Sequence, residues 1–310
     1  MDKLDALLVK FQERLKTIGF SDRSVPTYVQ NVRYFLDYVK SLGIPNIAEV
    51  DRKVIQDYQV RVYLTTYRGK PLAPATQHLR LAAVRTFYRF LLKEGLVLYD
   101  PTVNLDLPKT GKLLPRNILS KKDIGTLFSR PNLKTPRGVR DRAIMEVLYS
   151  TGLRATELCN LTLNDLDLRE GELRVKGKGG KDRIVPLGEV ASTFLELYLR
   201  EARPKLATSQ EQLLFLNQSG SQLTRAYLYC VIKRYAQKAG LKGVGTHTFR
   251  HTCATHLLKG KADIRQIQKI LGHASLSTTQ RYTKVEIGDL KRVLKRCHPR
   301  EKGEIQADEF

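Results

Sequence analysis

Two arginines and a tyrosine in the second half of the chain are residues whose types suit chemistry on a phosphate. Arg154 lies in the segment TGLRATEL, Arg250 in HTFRHTCATHLL and Tyr282 in LGHASLSTTQRYTKV. Arginine is planar, permanently charged and grips phosphate oxygens in pairs, so two arginines can replace a metal ion. A tyrosine is a nucleophile only where neighbouring cations or a base help to remove its proton. Together these residues indicate metal-free cleavage of a phosphodiester.

An acidic neighbour accompanies the first arginine. Glu157 lies three residues after Arg154, so the two share one helix face if Gly152 ends the preceding helix and the next begins near Arg154. The helix N-terminus and the guanidinium would then both favour a phosphate, and Glu157 would orient a neighbouring cation. Taken alone, the segment is more typical of an ordinary surface ion pair.

Histidines stand near the second arginine and the tyrosine. His247 precedes Arg250 by one helical turn, and His273 follows a Leu-Gly helix stop nine residues before Tyr282. Nearby histidine and arginine groups supply the conditions that a phenol needs to act as a nucleophile. His247 and His251 would also suit a metal ion, but no Glu or Cys completes that site. A lone tyrosine is more often part of a core, which is the alternative for Tyr282.

The net charge is the feature of the composition that bears most on function. It is +23 over 310 residues, with a pI near 9.9, and most of the excess lies after residue 107. Such an excess predicts a polyanionic partner, with nucleic acid as the first candidate. An anionic membrane surface is the alternative, but no run of about 18 apolar residues occurs. Scattered cysteines argue against a disulfide framework or a zinc site, and no secretory signal is evident, so we expect the cytoplasm.

Four helices are predicted in the first part of the chain, at about 2–18, 22–42, 49–67 and 73–95. The second and fourth helices interleave basic and aromatic residues, which would suit a pair of helices that clamps a duplex. In the fourth helix, Arg85 and Arg89 are candidate DNA contacts. The sequence leaves equally open the alternative that the aromatics form a core and the bases are a solvated face.

A proline-rich stretch from Asp100 to Arg116 loses the apolar period and predicts an extended linker. Ser120 and Asp123 then have the form of a capping box and open a second, mainly helical domain. The last ten residues are acidic and unpatterned, which predicts a mobile tail. The predicted division is a first domain at 1–107, a linker at 108–118, a second domain at 119–300 and an acidic tail at 301–310.

The second domain has one convincing β signal, the segment ELRVKGKGGKDRIVPLG at 172–188. Two β-branched runs are joined there by a Gly-rich turn that carries Lys178 and Lys181, which predicts a hairpin with a cationic tip. Helices are expected afterwards at about 189–203, 224–239, 247–259, 263–271, 276–282 and 286–296. The expected fold class is therefore mainly α.

In this order and spacing, the segments resemble the tyrosine recombinase (phage integrase) family, and within it the Xer-like branch. The resemblance spans most of the chain and rests on MEVLYSTGLRATEL, GKGGKDRIVPLG, HTFRHTCATHLL, LGHASLSTTQRYT and the ending CHPR at 297–300. It implies a four-helix, SAM-like core-binding domain that clamps DNA, followed by a mostly helical catalytic domain with a small β-hairpin or sheet. It implies no cofactor, neither a metal ion nor ATP.

The resemblance also implies the reaction and its main groups. Arg154 and Arg250 look like the pair that holds the scissile phosphate, Tyr282 like the nucleophile, and Lys178 like the general acid that protonates the leaving 5′ hydroxyl. Cleavage would leave a 3′-phosphotyrosine. Because that bond keeps the energy of the phosphoester, a partner strand's hydroxyl can reseal the DNA without ATP.

Supporting roles follow in the same way. His247 and His273 resemble positions that hydrogen-bond the phosphate or help to accept the tyrosine proton, and Glu157 resembles a supporting acidic position. The chain departs from the Xer-like pattern at Thr246, where a proline is common, and in its acidic extension after Arg300. Neither departure touches a residue with an assigned role.

The partner implied by the resemblance is a double-stranded DNA recombination site. Arg225 looks suited to reading a base in the major groove, while Lys233 and Arg234 would touch phosphate. Four protomers, identical or shared with a second recombinase, would exchange strands through a Holliday junction. The helix at 286–296 resembles the segment that docks on a neighbouring protomer, and an ordinary terminal helix packed on its own chain is the alternative.

The biological purpose stays open between resolution of chromosome or plasmid dimers and integration or excision of a mobile element. Two other classes of function compete. One is a nicking-closing topoisomerase or a metal-dependent nuclease, although no carboxylate cluster for Mg²⁺ is evident near the basic segments. The other is a catalytically silent DNA-binding regulator.

Overall fold

The computed structural model describes residues 3–22, 24–109, 117–177, 182–207, 212–272 and 284–305. The chain divides into two compact units, Met1–Leu113 and Leu114–Phe310. Helices dominate the described residues, and the strands there form two small antiparallel sheets, which confirms the mainly α fold. None of the described helices combines the length and apolar character needed to cross a bilayer. The finer boundaries at 107, 118 and 300 stay a prediction.

The first unit contains four long helices, α1 (Lys3–Thr17), α2 (Ser24–Ser41), α3 (Arg52–Leu64) and α4 (Pro74–Lys93). Asp51 caps α3 by accepting a hydrogen bond from the Val54 amide at 2.9 Å. Pro74 is the first residue of α4, where its missing N–H leaves no hydrogen bond unmade. The core is largely aromatic, with edge-to-face contacts among Phe11, Phe35, Phe87, Tyr58 and Tyr88.

The third helix ends earlier than the sequence predicted. Residues after Leu64 turn into a short hairpin, β1 (Thr66–Tyr67) paired with β2 (Lys70–Pro71). Arg68 and Gly69 form its turn with φ of 52° and 75°, the left-handed conformation that a two-residue hairpin turn requires. The predicted end at residue 67 was therefore wrong, because the turn preference of Arg-Gly outweighs the local helical pattern.

Helix α6 is the centre of the second unit. Its elements in chain order begin with α5 (Lys121–Phe128), α6 (Pro136–Thr151), α7 (Ala155–Cys159), β3 (Leu166–Asp167), β4 (Glu172–Val175), β5 (Arg183–Pro186) and α8 (Glu189–Leu197). The others are α9 (Arg225–Lys238), α10 (Thr246–Lys259), α11 (Ile264–Leu271) and α12 (Lys284–Cys297). α6 is buried along most of its length and packs against α8 and α10. The predicted capping box of Ser120 and Asp123 is present at the start of α5.

The sheet of the second unit has the order β3-β4-β5. The predicted hairpin corresponds to β4 and β5, with Leu173 opposite Val185 and Val175 opposite Arg183. The short strand β3, which pairs with β4, was not predicted because two residues are too few to show an alternating pattern. The hairpin tip with Lys178 and Lys181 lies outside the described residues.

Residues 298–305, here called the C-terminal strap, pack against the second unit. Arg300 donates to the Glu146 carboxylate and, through Nη1, to the Ile305 carbonyl at 2.9 Å. Ile305 is buried, and the Glu301 carboxylate accepts the Glu189 amide at 3.0 Å at the start of α8. The prediction of a mobile tail was therefore wrong for residues 301–305, since one apolar and one capping side chain fix it. Residues 306–310 and the predicted helix at 276–282 lie outside the described residues.

Candidate active site

The first arginine of the site follows a sharp end of α6. Gly152 terminates that helix with φ of 62°, and Leu153 turns inward and is buried. Arg154 then stands at the N-cap of α7. This is the break and restart that the sequence predicted, and it exists because glycine adopts the left-handed conformation without steric cost.

Glu157 is the carboxylate on which this arginine depends. Its Oε1 accepts Arg154 Nη1 at 2.8 Å, and its Oε2 accepts the Arg154 backbone amide at 2.8 Å. Arg183 of β5 adds a two-pronged contact, with Nη1 to Oε1 at 2.9 Å and Nη2 to Oε2 at 3.0 Å. Glu157 therefore forms the local pair with Arg154 and also binds a second guanidinium that is distant in sequence.

The charge state of Glu157 follows from these contacts. Burial by itself would raise the pKa of Glu157, but the hydrogen bonds and charge of Arg183, followed by the bonds from Arg154, lower it below the ordinary value. The side chain is only 8% exposed. Glu157 thus stays ionised at neutral pH and offsets one positive charge.

The second arginine of the pair is held by carbonyl groups. Arg250 lies in α10, 8% exposed, and donates from Nη1 to the Gly152 carbonyl at 2.8 Å and from Nη2 to the Leu271 carbonyl at 2.7 Å. Burial, with the nearby charge of Arg154, lowers the pKa of Arg250 to about 10. Arg250 remains charged at neutral pH, and no carboxylate accepts any of its described hydrogen bonds.

Three guanidiniums meet at the turn formed by Leu271 and Gly272. Arg154 Nη2 donates to the Gly272 carbonyl at 3.2 Å, and Arg250 holds the carbonyl before it. Arg183 lies close against the turn, so that a Cβ on Gly272 would come within 2.6 Å of its Nε. Gly272 has φ of 65° and ends α11. The described arginines therefore converge on the residue that immediately precedes His273.

The described members of this arginine cluster carry more positive than negative charge. Arg154, Arg183 and Arg250 carry three positive charges, and Glu157 carries one negative charge. The side chain of Arg154 is 40% exposed, whereas Arg183 is 7% exposed. A partly open, positively charged site with two surplus charges is suited to bind an anion, because burial strengthens the attraction.

Of the other predicted catalytic residues, the structure describes only His247. His247 lies in the first turn of α10 and is exposed, on the same helix as Arg250. Lys178, His273 and Tyr282 lie outside the described residues. Within the described ranges, no three His, Cys, Asp or Glu side chains gather closely enough to hold a metal ion. The catalytic roles of these residues stay predictions.

The candidate DNA contacts of α9 differ from one another. Arg225 and Lys233 are exposed. Arg234 instead donates to the buried Asp141 carboxylate at 3.1 Å and lies over the Tyr235 ring. The Arg234 guanidinium therefore has an internal partner, so a phosphate would have to share it.

The candidate contacts of α4 divide in a similar way. Arg89 is exposed, whereas Arg85 is partly buried and donates to the Leu105 carbonyl. Of the aromatics, Tyr88 is buried in the core, while Tyr34 is exposed and lies beneath the Arg80 guanidinium at 4.6 Å. Both alternatives that the sequence left open are thus represented on different faces of the same helices.

Arg183 is the site residue that sequence reasoning missed. Its neighbours give a signal, since Leu173, Val175 and Val185 mark the buried face of the hairpin. Arg183 alternates with Ile184 and so falls on the same face as Val185. An arginine on the buried face of a strand requires an internal anionic partner.

Comparison with known proteins identifies relatives over most of the chain. Residues 117–287 match the phage integrase family, and residues 8–95 match the N-terminal SAM-like domain of phage integrases. Tyrosine recombinase XerC 2 of Ralstonia nicotianae is 40% identical over 290 residues, covering 93% of this chain and 84% of that protein. Tyrosine recombinase XerD of Listeria monocytogenes is 40% identical over 288 residues, covering 91% and 94%.

Solved structures agree with these sequence relationships. The XerH site-specific recombinase, bound to a palindromic difH substrate in a post-cleavage complex, is 25% identical with a TM-score of 0.66, covering 90% of this chain and 83% of that one. An integrase of the transposon Tn1549, in complex with circular intermediate DNA, has a TM-score of 0.70 at 18% identity, a likeness of fold alone, covering 93% and 99%. The resemblance is confirmed, and the chain belongs to the phage integrase family, as a tyrosine recombinase of the Xer type.

Proposed function

We propose that this chain is a site-specific DNA recombinase that cuts and rejoins strands through a 3′-phosphotyrosine at Tyr282, without a metal ion or ATP. The observation that carries the proposal is the cluster of three arginines and one carboxylate at the Leu271–Gly272 turn. Its surplus of two positive charges fits a scissile phosphate, and the chain continues from that turn directly to His273 and on to Tyr282.

The charges of the reaction match those of the cluster. Attack by the Tyr282 oxygen on a phosphodiester gathers two negative charges around phosphorus, one from the phosphate and one from the deprotonated phenol. Arg154 and Arg250 would bind the non-bridging oxygens and stabilise that charge without reorganisation. The bond from phosphorus to the 5′ oxygen breaks, and Lys178 protonates that oxygen. His247 and His273 would bind the phosphate or help to accept the phenol proton.

Rejoining is the reverse of cleavage with a different strand. The 5′ hydroxyl of the partner strand attacks the phosphotyrosine and releases Tyr282. Two such exchanges, through a Holliday junction, require four active sites, so we propose a tetramer of this chain or one shared with a second recombinase. Acting on chromosomal, plasmid or mobile-element DNA, the enzyme would work in the cytoplasm.

Contacts with the DNA site belong to the same proposal. Exposed Arg225 and Lys233 on α9, exposed Arg89 on α4 and Lys181 at the hairpin tip are the groups we propose as contacts, with Arg225 reading a base. Arg85 and Arg234 would contribute less, because each already has an acceptor within the protein. Binding should weaken steeply with added salt.

A comparison of Tyr282→Phe with the wild type tests the proposal. Duplexes selected by the wild-type chain from a random pool are nicked beside the cleavage position, so that the cut end diffuses away and the covalent adduct accumulates. We expect the wild type to form the adduct in EDTA, and Tyr282→Phe to bind the duplex equally but form none. Tyr63→Phe, a change at an exposed tyrosine of α3, is the matched control. Adduct formation by Tyr282→Phe would refute the nucleophile assignment.

The competing functions give other outcomes in the same experiment. A nicking-closing topoisomerase would relax supercoils on unrelated sequences and exchange no strands between two sites. A silent regulator would bind but form no adduct even as the wild type. The tyrosine recombinases among the relatives favour neither of these alternatives.

A further inference from the structure

Arg183 of β5 lies in the centre of the arginine cluster, and none of the roles proposed above belongs to it. We propose that Arg183 is a positioning residue for strand cleavage: it fixes the Glu157 carboxylate that orients Arg154, and it supports the Gly272 turn from which the chain leads to His273 and Tyr282. This inference rests on the proposed function and adds to it a residue that acts through others.

Arg183 acts on Arg154 through the Glu157 carboxylate. Each oxygen of that carboxylate accepts one bond from Arg154 and one from Arg183, all between 2.8 and 3.0 Å. Arg183 supplies two of these four bonds, so without it the carboxylate would be held, among its described bonds, only by Arg154 itself. Without Arg183, the partly exposed Arg154 guanidinium would lose the fixed acceptor that aims it.

Arg183 also contacts the turn at Gly272. Arg183 Nε is buried and has no acceptor among the described residues. That edge of the guanidinium faces Gly272, where an added Cβ would lie 2.6 Å from Nε and 2.7 Å from Cζ. The two remaining nitrogens both donate to Glu157, which fixes the guanidinium plane. The turn packs against this fixed guanidinium, while Arg154 donates to the Gly272 carbonyl.

Arg183 is itself held in place by the sheet and by burial. Arg183 is paired opposite Val175 in the β4-β5 ladder and is only 7% exposed. A side chain that projects from a strand into a packed core is positioned with greater accuracy than one on a loop. Lys178 lies in the sequence between β4 and β5, so Arg183 and the proposed general acid would both depend on one small sheet.

The test separates affinity for DNA from the rate of cleavage. Arg183→Gln and Arg183→Lys are compared with the wild type and with Arg200→Gln, which removes an exposed arginine beside Glu201. We expect the dissociation constant for the selected duplex to change by less than about threefold, because Arg183 is buried. The adduct-forming rate at saturating duplex should fall about 10- to 100-fold, since small misplacements of reacting groups have effects of this size. Arg183→Lys should not restore the rate, because lysine has no second nitrogen to bind the other Glu157 oxygen.

A double-mutant cycle identifies the path through Glu157. If Arg183 acts partly through that carboxylate, Arg183→Gln placed on Glu157→Gln should slow cleavage by clearly less than it does in the wild type. Gly272→Ala tests the contact with the turn and should slow cleavage in its own right. It also keeps the inference testable if the Arg183 variants do not fold.

Two results overturn the inference while leaving the proposed function intact. One is a wild type that forms the adduct together with Arg183→Gln and Gly272→Ala variants that cleave at the wild-type rate. The other is a loss of DNA affinity equal to the loss of cleavage in folded Arg183 variants, which would make Arg183 a general structural residue. A wild type that forms no adduct would instead refute the proposed function, and the role of Arg183 with it.

Discussion

Two groups of arginines in the second unit place the same residue type in different electrostatic surroundings. In one, Arg140 donates from Nε and Nη2 to Asp141 Oδ1 at 2.9 and 2.7 Å and from Nη1 to the Leu216 carbonyl at 3.0 Å. Asp141 also accepts the Tyr235 hydroxyl at 2.9 Å and the partly exposed Arg234 guanidinium at 3.1 Å. In the arginine cluster of the candidate site, by contrast, Arg154 and Arg183 share the Glu157 carboxylate, and Arg250 donates only to carbonyl groups in its described hydrogen bonds.

The pKa shifts express this difference. Burial works against the charged form of Arg140, but the charge and hydrogen bonds of Asp141 outweigh it and raise the pKa of that guanidinium. In Arg250, burial and the charge of Arg154 act together and lower the pKa to about 10. Arg140 has a carboxylate as a direct hydrogen-bond partner, whereas Arg250 has only carbonyl groups among its described acceptors, which leaves its charge available for the phosphate of the proposed function.

The comparison is most strongly tested by Arg140→Met. This change leaves Asp141 buried without its main partner, so we expect a loss of about 3–5 kcal/mol in the free energy of unfolding, measured by urea titration. Cleavage per folded molecule should not change. Adding Asp141→Leu should recover part of the loss, and the exposed control Arg200→Met should lose no more than about 0.5 kcal/mol. Lost cleavage in folded Arg140→Met protein would erase the distinction between the two groups.

Arg250→Lys tests the arginine cluster of the candidate site. Lysine keeps the charge but not the planar fork, so adduct formation at saturating duplex should fall about 10²- to 10³-fold, the usual effect of losing one charge-stabilising donor. Single-turnover gel assays measure this rate. Arg265→Lys, at an exposed arginine of α11, should cleave like the wild type. A wild-type rate in Arg250→Lys would show that charge alone suffices at this position.

Ile305→Ala asks whether the C-terminal strap belongs with the stabilising group. The side chain is buried against α5, so its truncation should cost about 2 kcal/mol of unfolding free energy. Ile264→Ala, at a position 54% exposed, should cost less than about 0.5 kcal/mol. If both variants unfold at the same urea concentration, the strap contributes nothing to stability.

The smallest expected effect is a pH dependence at Glu157. Its pKa is lowered in the folded chain, so its contribution to stability is present above the ordinary value of 4.5 and is lost as the pH falls through the lower folded value. Below pH 4.5, the wild type should therefore lose stability more steeply than Glu157→Gln. Urea midpoints across that range measure the difference, with the exposed Glu201→Gln as control. Parallel curves for wild type and Glu157→Gln would contradict the assignment.

Local signals in the sequence predicted the parts of the site that depend on short-range geometry. Gly152 followed by Arg154 and Glu157 predicts a helix break and restart within a few residues, and that is what forms. Arg250 lies on the helix that its segment predicted. Such features need only backbone preferences and helical spacing, so they can be read from neighbouring residues.

Features that depend on distant partners could not be predicted in this way. Arg140 and Asp141 stand in a charged segment that is typical of a surface helix, yet α6 is buried. Their charges are tolerated there because the Leu216 carbonyl and the Tyr235 hydroxyl, both distant in sequence, form hydrogen bonds with them. The acidic composition after Arg300 likewise concealed that Glu301 caps α8. Only the folded arrangement decides whether such charges meet partners or water.

The burial of α12 and of the strap behind it sets a limit on the geometry of the proposed reaction. Ile287 is buried, and the chain beyond it is anchored again by Arg300, so the span that follows Gly272 is fastened at both ends. Tyr282 is two residues before Lys284, where α12 begins, and an extended chain covers at most about 3.6 Å per residue. The Cα of Tyr282 can then lie no more than about 7 Å from that of Lys284 while α12 stays in place. If Tyr282 is the nucleophile, the scissile phosphate must come close to the start of α12, or α12 must first be released.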